Sequence, residues 1–455
     1  ATWLEEQEPT MRKDHHNQLR LSPARVEHPH ARELEAISDV LDANPMLAAL
    51  VTQDLVGPEH SADRGRQGLT GDQVLRIAVL KQMEGFSYEE LAFHLADSLT
   101  YQRFCRIGIG DRVRKASALQ DNVRRIQPST WEAVNRVIVD HARAEGVERG
   151  DKVRIDATVT ATNIHPPDDA AQLWDTVRVI TRLLDQVTKA GFSVSYARRT
   201  KRAKRRRMDV MNAKKAGARR RAYRDLIRVT EEVLGFADAA VNVLPECDPV
   251  AVGFATELAH FAELGRRVVD QTRRRVIHGD KVAAQDKVVS IFEPHTDIIV
   301  KGRRDVQYGH KMFLTAGASS LVVDLLVTDG NPADSTLVET MLDRAADALG
   351  RVPRQAALDG GFASKANLAA AKERGVKDVC FSKGRSLEIP DMVKSAWVYK
   401  RLRRFRAGVE GVISFLKRAF GFDRCTWRGL EGFKAYAWAS VVSCNLLIIA
   451  RHMLE

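Results

Sequence analysis

The stretch Val153-Arg-Ile-Asp-Ala-Thr-Val-Thr160 decides the fold of this chain. Val153, Ile155, Ala157 and Val159 alternate with Arg154, Asp156, Thr158 and Thr160, the two-residue period of a strand with one apolar face. Asp is depleted in strands, and a carboxylate on a central strand is costly unless a cation meets it. A bound metal would meet it, whereas an edge strand with a wet polar face would need none. Two further carboxylates stand where they could reach the same point, Asp359 at a strand end and Glu410 on a helix.

Downstream, two prolines make Asn163–Asp169 a loop, and His165 within it is either catalytic or structural. From Ala170 to about Gly279 the pattern is helical with no strand. Regular strands return at Val288–Phe292, Tyr308–Ala316 and Leu321–Thr328, the last two joined as a hairpin by Gly317–Ser320. Asp334 is placed to N-cap a helix running to about Leu349. Gln355–Leu358 then reads as a strand ending at Asp359-Gly360-Gly361. A helix Ser364–Arg374 and a strand Lys377–Phe381 complete a βαβ unit. Its carboxylate lies at the carboxyl end of the first strand, where open α/β sheets place their ligands. Arg403–Phe420 is a helix with an apolar arc of Val409, Val412, Ile413, Leu416 and Phe420. Beside the arc runs a stripe of Arg403, Arg406, Glu410 and Lys417. The stripe is either functional or a simple ion-pair ladder. Gly408 and Gly411 each cost about 1 kcal/mol in a helix interior relative to Ala, so each predicts a close neighbour.

Upstream, residues 1–30 are polar and aperiodic and read as an arm, followed by a helix Ala31–Ala43. Capping-box patterns at Thr70–Gln73, Ser87–Glu90 and Ser129–Glu132 open further helices, with a short one at Leu99–Cys105. Short helices on tight turns are compatible with a helix-turn-helix DNA-binding unit or with a plain packing bundle. Arg103, Arg106, Arg112, Arg114 and Lys115 follow, as phosphate contacts or as a solvated face.

With 455 residues the chain has room for two or more domains. We divide it into 1–60 (arm and helix), a helical DNA-binding domain 61–148, and a catalytic domain 149–455 with a basic helical insertion 170–282. Net charge is +12, and residues 170–282 hold 24 Lys and Arg against 13 Asp and Glu, nearly the whole excess. Within them Arg198–Arg207 has eight basic residues in ten. Such density predicts phosphate contact at Lys204, Arg205, Arg206 and Arg207, because like charges repel unless anions screen them. Trp174 is a packed helix residue or a platform for an unpaired base. The five cysteines show no metal-ligand spacing and read as reduced thiols. The start is polar and predicts no leader, and the apolar run Ala435–Ala450 is short for a membrane span and predicts a buried core helix.

Strand Asp, strand-end Asp and helical Glu in this order resemble the DDE triad of bacterial insertion-sequence transposases with an RNase H-like fold. Arg406-x3-Glu410-x6-Lys417 resembles the YREK signature of one such superfamily, with Arg403 standing where that family has Tyr. The stretches IDATVTATNIHPPDD (155–169), YGHKMF (308–313), DGNPADS (329–335) and LDGGF (358–362) resemble ISNCY-type transposases. The implied fold is an α/β RNase H-like catalytic domain with a large helical insertion, preceded by an all-α helix-turn-helix-type domain. The implied enzyme is a DNA transposase and endonuclease that cleaves and joins strands. Asp156, Asp359 and Glu410 would be both catalytic residues and ligands of two Mg²⁺ ions, for which Mn²⁺ could substitute. Arg403, Arg406 and Lys417 would contact DNA. The partners would be duplex DNA, as terminal inverted repeats and as target, and a second copy of the chain. The setting would be the bacterial cytoplasm on the nucleoid, without a membrane. A structure-selective RNase H-like nuclease and a catalytically silent DNA-binding protein are the rival readings.

Overall fold

The computed structural model describes residues 26–57, 68–108, 111, 114–301, 305–383 and 386–455. The arm up to residue 25 and Arg112 lie outside them. Helices come first: α1 (Pro29–Ala43), α2 (Met46–Val56), α3 (Gly71–Glu84), α4 (Tyr88–Asp97), α5 (Leu99–Phe104), α6 (Ala116–Val123) and α7 (Pro128–Ala144). Then come β1 (Lys152–Ala161) and four long helices, α8 (Asp169–Lys189), α9 (Thr200–Asn212), α10 (Ala216–Val243) and α11 (Pro249–Thr272). Strands β2 (Asp297–Lys301), β3 (Asp305–Ala316) and β4 (Val322–Val327) follow, then α12 (Val338–Leu349), β5 (Gln355–Leu358), α13 (Lys365–Glu373) and β6 (Asp378–Phe381). The chain closes with α14 (Ile389–Met392), α15 (Ala396–Ala419) and α16 (Leu430–Leu454).

The strands form one mixed sheet in the order β2-β3-β1-β5-β6, with β4 also paired to β3. β1 is central, antiparallel to β3 and parallel to β5. One face of the sheet packs with α12 and α13 through Val153, Ile155, Phe313 and Ala356. The other, through Met312, Leu314 and Ala316, shares a continuous apolar core with α15, α16 and the helices from α1 to α7. Asn135, Asn445 and the backbone of Val322 are hydrogen-bonded inside that core, tying α7, α16 and β4 together. α16 is long and apolar enough to cross a membrane, yet it is buried inside the protein over most of its length. The insertion has its own core, built from α8 to α11. Between it and the sheet a partly buried relay, Glu293–His295–His310–Asp297, fastens the segment before β2 and β2 itself to β3, and its middle link joins the two imidazoles at 2.7 Å.

Most expected elements form. Thr70 and Ser87 close reciprocal capping boxes, and Gly85 ends α3 in the left-handed conformation. The five cysteines are free thiols. Three local expectations fail for physical reasons. Val288–Phe292 is no strand, because side-chain amides of the bundle, not a neighbouring strand, serve its backbone: Gln271 accepts from Val288 N and Gln172 from Ile291 N. The adjacent β2 was not anticipated. Ser129 caps nothing, since Pro128 takes the first helical position and Gln127 precedes it. Asp334 opens a short 3₁₀ turn instead of capping α12, and its carboxylate pairs with Lys311 Nζ at 2.6 Å.

Candidate active site

Sheet register builds the site. β1 pairs with β5 in parallel with Ile155 opposite Leu358, and β5 with β6 with Leu358 opposite Phe381. The next residue on each strand line is therefore Asp156, Asp359 or Ser382, three neighbours in a row at the carboxyl ends. Adjacent strands lie about 4.8 Å apart, so the row is within reach of one ligand. Ser382 Oγ donates to Asp359 Oδ1 at 2.6 Å and accepts from Gly360 N at 3.1 Å. Asp156 accepts from the N–H of Ala157 at 2.8 Å.

α15 runs over the same sheet face and supplies the third carboxylate. Its hold on β1 comes from Arg154, two residues before Asp156 and therefore on the same face. Arg154 Nη1 donates to the Phe405 carbonyl at 3.1 Å and Nη2 to Ser320 Oγ at 2.7 Å, and its guanidinium lies 4.8 Å from the Phe405 ring centroid. Gly408 makes the approach possible, because a Cβ there would collide with that guanidinium. Gly411 has open space instead, so its expected close neighbour is absent among the described residues.

The three carboxylates converge on Arg406. Its Nη2 lies 2.9 Å from Asp156 Oδ2 and 3.7 Å from Asp359 Oδ1, and its Nη1 lies 2.8 Å from Glu410 Oε1. Asp156 is largely buried and Glu410 mostly exposed. Burial pushes the Asp156 carboxyl above its usual range against the pull of Arg406, and the neighbouring Asp359 and Glu410 push the same way. Asp359 falls below the usual range: burial opposes this, but the Ser382 hydroxyl, the Gly360 N–H and Arg406 outweigh it. Three negative groups around one guanidinium leave a local charge of −2.

Lys417, two turns beyond Glu410, donates from Nζ to the Val159 carbonyl at 2.9 Å and lies 3.4 Å from Asp423 Oδ1. Arg403 is exposed. His165 is bonded to Asp175 of α8 at 2.9 Å and does not reach the carboxylates. On α9 the basic run divides. Arg202 and Arg206 bind Asp225, Arg199 binds Glu232, and Arg207 and Arg178 flank the Trp174 ring at 5.2 and 4.9 Å. Lys204 and Arg205 face solvent without an ion-pair partner among the described residues. Arg106 pairs with Asp42 and Asp72. Arg154 and Ser382 are not among the residues that the sequence singles out. The first carried a weak signal, a charge on the strand face of Asp156, and the second carried none.

Residues 300–446 match the family model described as Transposase DDE domain, and residues 23–125 match Transposase domain (DUF772). The first span contains Asp359, Arg406, Glu410 and Lys417; Asp156 and the insertion lie between the two matched spans. No curated protein and no solved structure matches the chain.

Proposed function

This chain is a transposase of the DDE type, an enzyme that acts on DNA, and from that premise we propose that Asp156, Asp359 and Glu410 form its catalytic carboxylate site. The observation that carries this is their convergence from β1, the end of β5 and α15 on the single cation of Arg406. The matched DDE domain implies an RNase H-like fold, which agrees with the mixed sheet.

Transposases of this kind use divalent metal ions, and the residues present fit one. The donors are all carboxylate oxygens, as Mg²⁺ prefers, and they carry excess negative charge. No group of three ligating side chains is drawn close enough to hold an ion among the described residues; Arg406 supplies the positive charge between them. Asp156 and Asp359 would be the principal ligands, with Glu410 joining from the helix. Two Mg²⁺ ions held there, or Mn²⁺ as substitute, would supply Lewis-acid activation of water or of a DNA 3′-hydroxyl.

The chain's own residues do the rest. Ser382 fixes the rotamer of Asp359, and Arg154 fixes the height of α15 over β1. Arg406 is placed to leave the carboxylates for a DNA phosphate, a group its fork matches as well as a carboxylate. Lys417 and Arg403 extend the positive stripe along α15 toward the strand being processed. We assign α3 to α5 to recognition of element ends in a helix-turn-helix manner, and Lys204 and Arg205 to duplex phosphates. The enzyme then works as a dimer on the nucleoid, in the cytoplasm. The test is incubation of the full chain with candidate element ends and Mg²⁺, resolving nicked from joined products. Joined products separate a transposase from a plain nuclease, and no metal-dependent product would overturn the catalytic assignment.

A further inference from the structure

A cleft of about 990 Å³ separates α3, α4 and α6 from residues 421–428, the segment that follows α15. It is the size of a ligand pocket rather than of a packing fault. Three groups lining it have unmet chemistry. Lys81 is 8% exposed, yet no carboxylate among the described residues pairs with its ammonium. Burial pulls its pKa down, and Nζ rests 4.8 Å from the Tyr88 ring centroid. A buried lysine without a counter-charge is costly unless an anion comes to it. The Tyr88 hydroxyl and the Trp427 indole Nε1 are buried donors with no hydrogen-bond partner among the described residues. Such donors are rare in a packed interior and mark places where an acceptor is missing. At the mouth, Arg124 and Arg428 are exposed and without an ion pair among the described residues.

The cleft also lies on the path from the carboxylates. Asp423, the neighbour of Lys417 Nζ, lines it, and Lys417 is about 10 Å along α15 from Glu410. Buried cation, exposed arginines and two aromatic donors ask for one ligand with a phosphate and an acceptor-bearing ring. A duplex is too bulky for a cleft of this volume; a single nucleotide is not.

We propose that this cleft is a subsite for one unpaired nucleotide of the DNA strand being processed. Lys81, Arg124 and Arg428 take its phosphate, and Tyr88 and Trp427 take its base. The inference rests on the transposase function and deepens it by adding a strand contact outside the carboxylate site.

The experiment uses the full chain and two probes, a short blunt duplex and the same duplex with a single-stranded overhang carrying 2-aminopurine. Anisotropy should show the overhang form binding about tenfold tighter, as one base held on aromatic side chains supplies. The 2-aminopurine emission should be quenched on binding. Arg124→Gln with Arg428→Gln, both at exposed positions, should remove the tenfold gain and leave blunt-duplex affinity unchanged. Lys81→Met should remove the gain as well, with thermal unfolding followed to verify the fold. Metal-dependent nicking on the same preparations tests the transposase function separately. A nicking-competent protein that binds both probes equally without quenching overturns the subsite alone. Equal competition by polyglutamate would overturn it too, in favour of an acidic peptide.

Discussion

Arg406 Nη2 donates to Asp156 Oδ2 at 2.9 Å, from a helix residue 250 positions away in the chain. The same guanidinium reaches Glu410 one turn on and approaches Asp359. A fixed cation therefore sits where a hard metal ion would be drawn, and Asp156 meets in Arg406 the positive charge that makes a largely buried carboxylate tolerable.

That geometry separates two roles for Arg406. If it competes with the metal, Arg406→Gln should tighten binding of non-catalytic Ca²⁺ in the absence of DNA by about tenfold, or ~1.4 kcal/mol. Nicking should fall in the same variant, because the phosphate contact is lost. Weaker Ca²⁺ binding by calorimetry would instead make Arg406 a scaffold that holds the carboxylates together.

Asp156→Ala, Asp359→Ala and Glu410→Ala should each abolish nicking while duplex affinity stays within about twofold, since phosphate contacts elsewhere persist. Ser382→Ala should lower nicking by about 10–100-fold, the usual effect of removing a hydrogen-bond partner behind a metal ligand. The check is single-turnover cleavage at saturating DNA. Wild-type rates for any of the three carboxylate variants would remove that residue from the site.

The division of the basic run gives a second contrast. Lys204→Gln with Arg205→Gln should reduce the slope of log K against log salt by about 1.8, or 0.9 per phosphate contact. Arg206→Gln should lower the melting temperature and leave the slope nearly unchanged, because its fork is occupied by Asp225 and Asp209. An unaltered slope in the double variant would make that face of α9 a solvated surface.

Asp225 gives a pH dependence with a definite sign. Burial alone would raise its carboxyl, but Arg206, Arg202 and Arg228 hold it far below the usual range. A depressed folded-state pKa contributes stability that is fully present above the unfolded value, near 3.9, and is lost as pH falls. Asp225→Asn should therefore melt lower than wild type at neutral pH. The gap should shrink as pH drops from about 4 toward 2. A gap independent of pH, by thermal circular dichroism, would mean that packing rather than charge is lost.

β1 is legible in the sequence because alternation is a one-dimensional signal, and Asp359 because a short apolar run stops at two glycines. The stripe on α15 is legible because seven residues make two turns. Ser382 is invisible, since its role exists only once β5 and β6 lie in register. Arg154 looks like any polar strand residue until α15 crosses above it. Val288–Phe292 misleads because apolar content says that a segment is buried, not which groups satisfy its backbone. The basic run misleads in part, because its charge is plain in the chain but the acids that pair with three of its eight basic residues come from α10.

Two glycines on one helix give the last prediction, because the same substitution should act in opposite directions. Gly408→Ala puts a methyl group into the Arg154 guanidinium, which is held on both sides by Phe405 and Ser320 and cannot simply move aside. Overpacking of this kind costs about 1–3 kcal/mol. It also lifts the turn of α15 that carries Arg406 and Glu410 away from Asp156, so cleavage should fall more than stability does. Gly411→Ala adds its methyl to open space and removes a helix penalty, so the protein should gain up to about 1 kcal/mol. If α15 is a passive surface helix, the two variants should behave alike. Denaturant unfolding and single-turnover nicking on both proteins decide it, and a stable, fully active Gly408→Ala protein would refute the locking of α15 by Arg154.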